Sequence, residues 1–200
     1  MTPFTTLTAI AVPLDSPNID TDQIIPARYL GRPRTEQVEA LFHDLRLDPE
    51  GRPRADFVLN RPEYRGARIL VADDNFGCGS SREHAVTTLA DNGFRAFIAP
   101  SFGDIFFNNC FQNGVLPIRL PADRVSAIRA QLRDAPGATM QIDLAAQSVS
   151  APDGRVDRFD IDAFRKECLL AGQDEIGLTL GYEAQILAFE ARMRNERPWV

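Results

Sequence analysis

Apolar residues recur along this chain in two rhythms. Residues 4–12 alternate loosely and are rich in threonine, isoleucine and valine, which predicts a first strand. Ile69-Leu70-Val71-Ala72 is an unbroken apolar run and predicts a buried strand. Phe94 to Ala99, closed by Pro100, and Val115 to Leu120 predict two more. Between these runs the spacing becomes helical. Ala85, Leu89 and Ala90 predict a helix over 82–92 that stops at Asn92-Gly93. Phe102, Ile105, Phe106, Asn109 and Cys110 predict a second, ending at Asn113-Gly114. Upstream, Thr35 is placed to cap a helix from Glu36 to about Leu45, with Val38, Leu41, Phe42 and Leu45 on one face. Downstream, Pro121 opens a helix that runs to Asp134. Residues 139–150 alternate, Asp153-Gly154 signals a hairpin, and Val156 to Phe159 pairs back. Asp160 is placed to cap Ile161 to Ala171, which Gly172 stops. Glu183 to Arg194 reads as a last amphipathic helix with Ile186, Leu187, Phe189 and Met193 as its apolar positions.

The middle of the chain therefore runs strand, helix, strand, helix, strand. That order predicts an α/β fold with a mostly parallel central sheet and right-handed crossovers, with further β elements after it. Ligands of such sheets bind beyond the carboxyl ends of the strands. Phe76-Gly77-Cys78-Gly79-Ser80-Ser81-Arg82-Glu83-His84 occupies such an end, between a strand and a helix. Glycines let a backbone approach a ligand, and the first turn of a helix carries free N–H groups that favour anions. Arg82 adds a planar cation suited to a carboxylate or phosphate. Taken singly, each residue has a plainer use: Ser80 and Ser81 as helix caps, Arg82 in a surface ion pair, Glu83 and His84 in first-turn hydrogen bonds. Their concentration at one junction points to an anion site with hydroxyls in reach.

Other chemistries fit less well. A phosphate-binding loop needs a lysine after its last glycine, where this chain has Ser80 and Ser81. A nucleophile elbow needs Gly-x-Ser-x-Gly, which is absent around Ser80. Cys78 with His84 as its base lacks any spacing that implies contact, and a small buried thiol is the plainer reading. Asp20 and Asp22 are expected to cap turns, since nothing downstream completes a calcium loop. Arg28, Arg32 and Arg34 share a loop with Gly31 and Pro33, either a solvated basic loop or a lid that meets an acidic substrate.

Composition narrows the class. The 200 residues suffice for one domain with a sizeable core, and no stretch reads as a linker dividing residues 1–200. A net charge of -6 argues against nucleic-acid binding. Lys166 is the only lysine among 22 basic residues, a bias that makes no single arginine special. Cys78, Cys110 and Cys168 form no CxxC pair, so no iron–sulfur or zinc ligand set is expected, and three unpaired thiols suit a reducing cytoplasm. No apolar run approaches a membrane span, and the first residues lack the pattern of a signal peptide.

Gly79-Ser80-Ser81-Arg82-Glu83-His84 resembles the signature of the swivelling domain of the aconitase superfamily. Asn18-Ile19-Asp20-Thr21-Asp22-Gln23-Ile24-Ile25-Pro26, Asp56-Phe57-Val58-Leu59-Asn60, Ala99-Pro100-Ser101-Phe102 and Ile176-Gly177-Leu178-Thr179-Leu180 resemble blocks of one branch, the small subunits of the isopropylmalate dehydratase family. The resemblance implies a β/β/α three-layer swivelling domain. It implies isomerisation of an isopropylmalate by removal and return of water, with a [4Fe–4S] cluster on cysteines of a separate large subunit and no metal on this chain. It implies Ser80 as the base for the carbon-bound proton, Arg82 as the partner of a substrate carboxylate, and Ser81 as a substrate contact. It also assigns residues 28–35 to a substrate-recognition loop, in which Arg34 is the expected substrate contact. A small subunit for homoaconitate or another substituted malate, and a non-catalytic anion-binding module, are the competing expectations.

Overall fold

The computed structural model of the chain describes residues 1–197 and 199 and, for residue 175, the backbone. Its first strand, β1 (Thr6–Leu14), is followed by three short helices, α1 (Thr21–Ile24), α2 (Arg34–Glu39) and α3 (His43–Arg46). Then come β2 (Ile69–Ala72), α4 (Glu83–Asp91), β3 (Ala96–Ala99), α5 (Asp104–Gln112), β4 (Leu116–Arg119) and α6 (Ala122–Asp134). Three short strands, β5 (Thr139–Asp143), β6 (Ser148–Ser150) and β7 (Val156–Arg158), precede α7 (Ala163–Ala171), α8 (Glu175–Gly181) and α9 (Glu183–Glu196).

The strands form one sheet in the order β4-β3-β2-β1-β5-β6-β7. β1 is long enough to serve two partners. Its second half pairs in parallel with β2, from Ala11 opposite Ile69 to Leu14 opposite Ala72. Its first half pairs antiparallel with β5, from Thr6 opposite Asp143 to Ile10 opposite Thr139. The β2–β3 and β3–β4 pairs are parallel, whereas β5–β6 and β6–β7 are antiparallel. The expected parallel centre with added β elements is thus the observed arrangement.

The apolar runs are unbroken because the parallel strands are covered on both faces. Leu70, Ala72, Phe97 and Ala99 point into a core shared with Ala85, Val86 and Leu89 of α4 and Phe106 and Cys110 of α5. Their neighbours Ile69, Val71, Ala96 and Ile98 point the other way, onto Val125, Ile128 and Leu132 of α6 and onto Met140, Ile142 and Val149 of the antiparallel strands. Each fully buried Leu or Ile of this kind stabilises the fold by roughly 2 kcal/mol.

Three local expectations are corrected, the first of them by a tertiary contact. The helix expected from Glu36 to Leu45 is cut in two, because Phe42 turns into the left-handed region at φ 50°. Its ring is fully buried, and its N–H donates to the Ile24 carbonyl at 2.8 Å. The alternating stretch 139–150 is two strands, reversed at Gln147, whose φ is 51°. The cap of α7 is Asp162, which accepts from the Arg165 N–H, and not Asp160.

Charge stitches the sheet to α6. Arg129, largely buried, meets Asp73 after β2 at 2.8 Å and Asp15 after β1 at 3.1 Å. Arg124 holds Asp157 of β7 in a bidentate pair at 2.8 and 2.9 Å, and this lowers the Asp157 carboxyl pKa, mainly through the guanidinium hydrogen bonds. Among the described residues no helix is long and apolar enough to cross a membrane.

Candidate active site

The segment from Asp73 to Arg82 leaves the carboxyl end of β2 and delivers α4. It is held from both sides as a third strand would be. On one side the Gly77 N–H donates to Ile19 (2.8 Å), and the Thr21 N–H donates to Cys78 (2.9 Å). On the other, the Phe76 N–H donates to Ser101 (3.1 Å), and the Gly103 N–H donates to Phe76 (3.0 Å). Side chains repeat the clamp. The Asn75 amide donates to the Asn18 side chain at 2.8 Å, and the Ser101 hydroxyl donates to the Asp74 carboxylate.

Two glycines are indispensable to this path. Gly77 lies at φ 71°, and a Cβ there would stand 2.2 Å from the Phe106 ring. A Cβ on Gly103 would stand 2.5 Å from the Gly77 carbonyl oxygen. Backbone and ring are therefore in direct contact beneath the turn, and a side chain at either glycine forces it outward.

The turn presents its hydroxyls outward. Ser80 and Ser81 are both exposed. The Thr21 hydroxyl donates to the Ser80 carbonyl at 3.0 Å, which fixes the peptide between the two serines. Neither serine caps α4, since the N-cap is Arg82 and its side chain makes no cap hydrogen bond. Capping, the plainer use of the serines, is thus not the one observed. The Arg82 guanidinium pairs through Nη1 with the Asp22 carboxylate. That contact uses one of five N–H donors, and the rest of the fork is directed by it without being consumed. With the amino end of α4, the donors of Arg82 that Asp22 leaves free give the surroundings of the serines hydrogen bonds to offer an anion. Glu83 turns away and accepts from Asn113 at 3.1 Å.

The aspartates divide the work. Asp20 caps α1 in a reciprocal box with Gln23, as expected. Asp22 caps nothing and orients Arg82 instead, which corrects the expectation for it. Thr21, Asp22, Asn18 and Ser101 are site-building residues that a reading of the turn alone passes over. Their signals are the blocks Asn18 to Pro26 and Ala99 to Phe102, which lie apart from the turn in sequence and against it in space.

Arg34 is set apart from this group. Its guanidinium makes two 2.7 Å hydrogen bonds to Asp91, the last residue of α4. Asp91 stands nine positions, about 13 Å along α4, from Arg82. Arg28 is likewise engaged, with Asp44, whose carboxyl it pulls down to about 2 by its hydrogen bonds. Burial, with the charge of Asp20 added, pushes the Cys78 thiol above its ordinary value, the opposite of what an activated nucleophile needs. Cys110 is wholly buried and pushed further up. Among the described residues no group of three or more His, Cys, Asp or Glu side chains is arranged to hold a metal, and the three cysteines do not fit a cluster.

Fold and turn together define a swivelling domain of the aconitase type: residues 1–123 match the family model of the aconitase C-terminal domain. Residues 126–163 match a model described as LeuD_N, and residues 175–200 match that of the C-terminal domain of the 3-isopropylmalate dehydratase small subunit. The 3-isopropylmalate dehydratase small subunit of Rhodospirillum centenum is 54% identical over 200 residues, covering 100% of this chain and 98% of that protein. Those of Parvibaculum lavamentivorans and Dinoroseobacter shibae are 50% and 51% identical over 201 residues, with 100% of both chains covered in each case. A crystal structure of 3-isopropylmalate dehydratase (leuD) from Methanocaldococcus jannaschii superposes with a TM-score of 0.66 at 26% identity, covering 92% of this chain and 99% of that one. The chain belongs to the 3-isopropylmalate dehydratase small-subunit family, hydro-lyase subunits of leucine biosynthesis.

Proposed function

We propose that this chain, as a single swivelling domain in the cytoplasm, supplies half of the active site that interconverts 2-isopropylmalate and 3-isopropylmalate. The observation that carries the reading is one juxtaposition. Ser80 and Ser81 stand exposed beside an arginine that Asp22 has aimed, at the head of a helix. A dicarboxylate substrate brings a carboxylate, which Arg82 receives through the donors that Asp22 leaves free. Ser80 Oγ, as alkoxide, takes the proton from the substrate carbon. The electron pair of that C–H bond becomes the new C=C bond as hydroxide leaves the neighbouring carbon. Return of water in the opposite sense, onto the other carbon, completes the isomerisation. Arg82 and the α4 amino end lower the cost of the alkoxide by the same field that binds the substrate. Ser81 contacts the substrate alongside.

Lewis-acid assistance to the departing hydroxyl would come from a [4Fe–4S] cluster held by cysteines of a large subunit. This chain holds no ligand set for it among the described residues, so its own part is binding, orientation and proton transfer. The test is steady-state kinetics of the reconstituted two-subunit enzyme with Ser80→Ala. Turnover is expected to collapse while the Michaelis constant changes little, and near-normal turnover would remove Ser80 from the role of base. Assay of the wild-type pair on homoaconitate, citramalate and isopropylmalate decides the substrate. Preference for either of the first two moves the chain to a related hydro-lyase.

A further inference from the structure

α8, α9 and Tyr182 between them carry six of the eleven large apolar side chains that the described residues leave exposed. Ile176 is 71% exposed, Leu180 63%, Tyr182 58%, Ile186 40%, Leu187 57% and Phe189 53%. In α9 the spacing is that of one stripe: Tyr182 at the N-cap, then Ile186, Phe189 and Met193, at i, i+4, i+7 and i+11. A helix ordinarily buries such a stripe against its own body. Here the inner side of α8 faces the body, where Leu178 and Asp174 join Asn108 and Gln112 of α5 in lining a cavity of about 410 Å³, and no described side chain of α9 is buried.

We infer that α8 and α9 form a docking arm whose apolar stripe seats in a groove on the large subunit. The inference rests on the functional reading above for the identity of the partner. Two observations select that occupant over a second copy of this chain. The first is how the family matches divide. The aconitase-type match, to a domain that is the C-terminal part of its protein, ends at residue 123, and residues 175–200 match a segment particular to small subunits. Residues 126–163 also lie beyond that match, but α6 and β5–β7 are built into the body, so the arm is the part whose apolar side chains are left uncovered. The second is continuity. Gln112, which lines the cavity with Leu178, is followed by Asn113, and Asn113 donates to Glu83, the residue after Arg82. A partner that covers the exposed serines and extends along α5 meets the root of the arm. Self-pairing of two arms covers the stripe and leaves the serines open. The occupant's chemistry follows from the helix: an apolar groove for the stripe, with a rim of mixed charge for Glu183, Glu190, Arg192 and Arg194.

The experiment uses the full-length chain with Ile186→Glu and Phe189→Glu together, and its cognate large subunit under anaerobic conditions. Calorimetric titration is expected to show at least a thirtyfold weaker Kd for the double variant. Its unfolding midpoint should match the wild type, because both side chains are exposed. Val156→Glu, at a 55% exposed position on β7, should leave the Kd unchanged. An unchanged Kd in the double variant overturns the inference. So does a wild-type dimer, seen by sedimentation velocity, that the double variant dissociates while its affinity for the large subunit holds. A wild-type complex that forms and fails to isomerise isopropylmalate overturns the functional reading alone and leaves the docking arm standing.

Discussion

The serine turn and the arginine loop at residues 28–34 begin from the same materials and end in opposite states. Each is a surface connection with arginine and glycine, and each has the composition to meet an anionic substrate. In the loop, Arg28 and Arg34 spend their donors on carboxylates of this chain, Asp44 and Asp91. In the turn, the backbone is clamped on both sides, and Arg82 has one N–H engaged while the serine hydroxyls face out. Charge alone therefore does not mark a site. A site is a rigid frame whose reactive groups are left unspent.

Substitutions can break that contrast. The largest expected effect is that of Ser80→Ala: a fall in turnover of about a thousandfold, within the range seen for loss of a general base. Next comes the frame. Gly77→Ala pushes a methyl into the Phe106 ring and strains a left-handed backbone, and should destabilise the chain by about 3 kcal/mol in urea unfolding. A loss below about 1 kcal/mol would show that the turn yields and is not the rigid frame described. Asp22→Asn keeps the shape and removes the charge that aims Arg82. The Michaelis constant should rise about tenfold, equivalent to about 1.4 kcal/mol of binding. An unchanged value would mean that Arg82 finds its position without Asp22.

The loop should answer weakly. Arg34→Ala is expected to leave the Michaelis constant within about twofold of wild type, in line with an exposed pair. A rise of tenfold or more would bring Arg34 into the site and make the loop a moving lid. The Arg28–Asp44 pair gives the loop its pH signature. Asp44 is lowered from 3.8 to about 2, so the pair's contribution is fully present above the ordinary value and is lost as the pH falls through about 2. NMR titration of the Asp44 carboxyl should find a midpoint near 2, and a midpoint near 3.8 would show the pair to be open in solution.

Much of the fold is legible in the sequence because its signals are local. Ile69 to Ala72 is observed as a strand at the expected residues, and helices follow the glycine-serine and phenylalanine segments as their spacing requires. The departures have non-local causes. Phe42 breaks a helix for a place in the core beneath Ile24, and Asp22 gives up capping for an arginine sixty positions away. The C-terminal arm differs in another way: its amphipathic spacing is visible, yet spacing does not say whether the apolar face finds cover.

By itself, the sequence determined the alternation of strands and helices from Ile69 to Asp134, the glycine-serine turn and the family to which its motifs belong. Hydrophobic period and backbone permissiveness are properties of short segments and act before the chain closes on itself. Only the tertiary structure decided which groups stay available. It set Thr21 and Asp22 against the turn, gave Arg34 to Asp91, and left the serines and the stripe on α9 uncovered. Those outcomes depend on through-space distances between residues far apart in the chain, which no local pattern encodes.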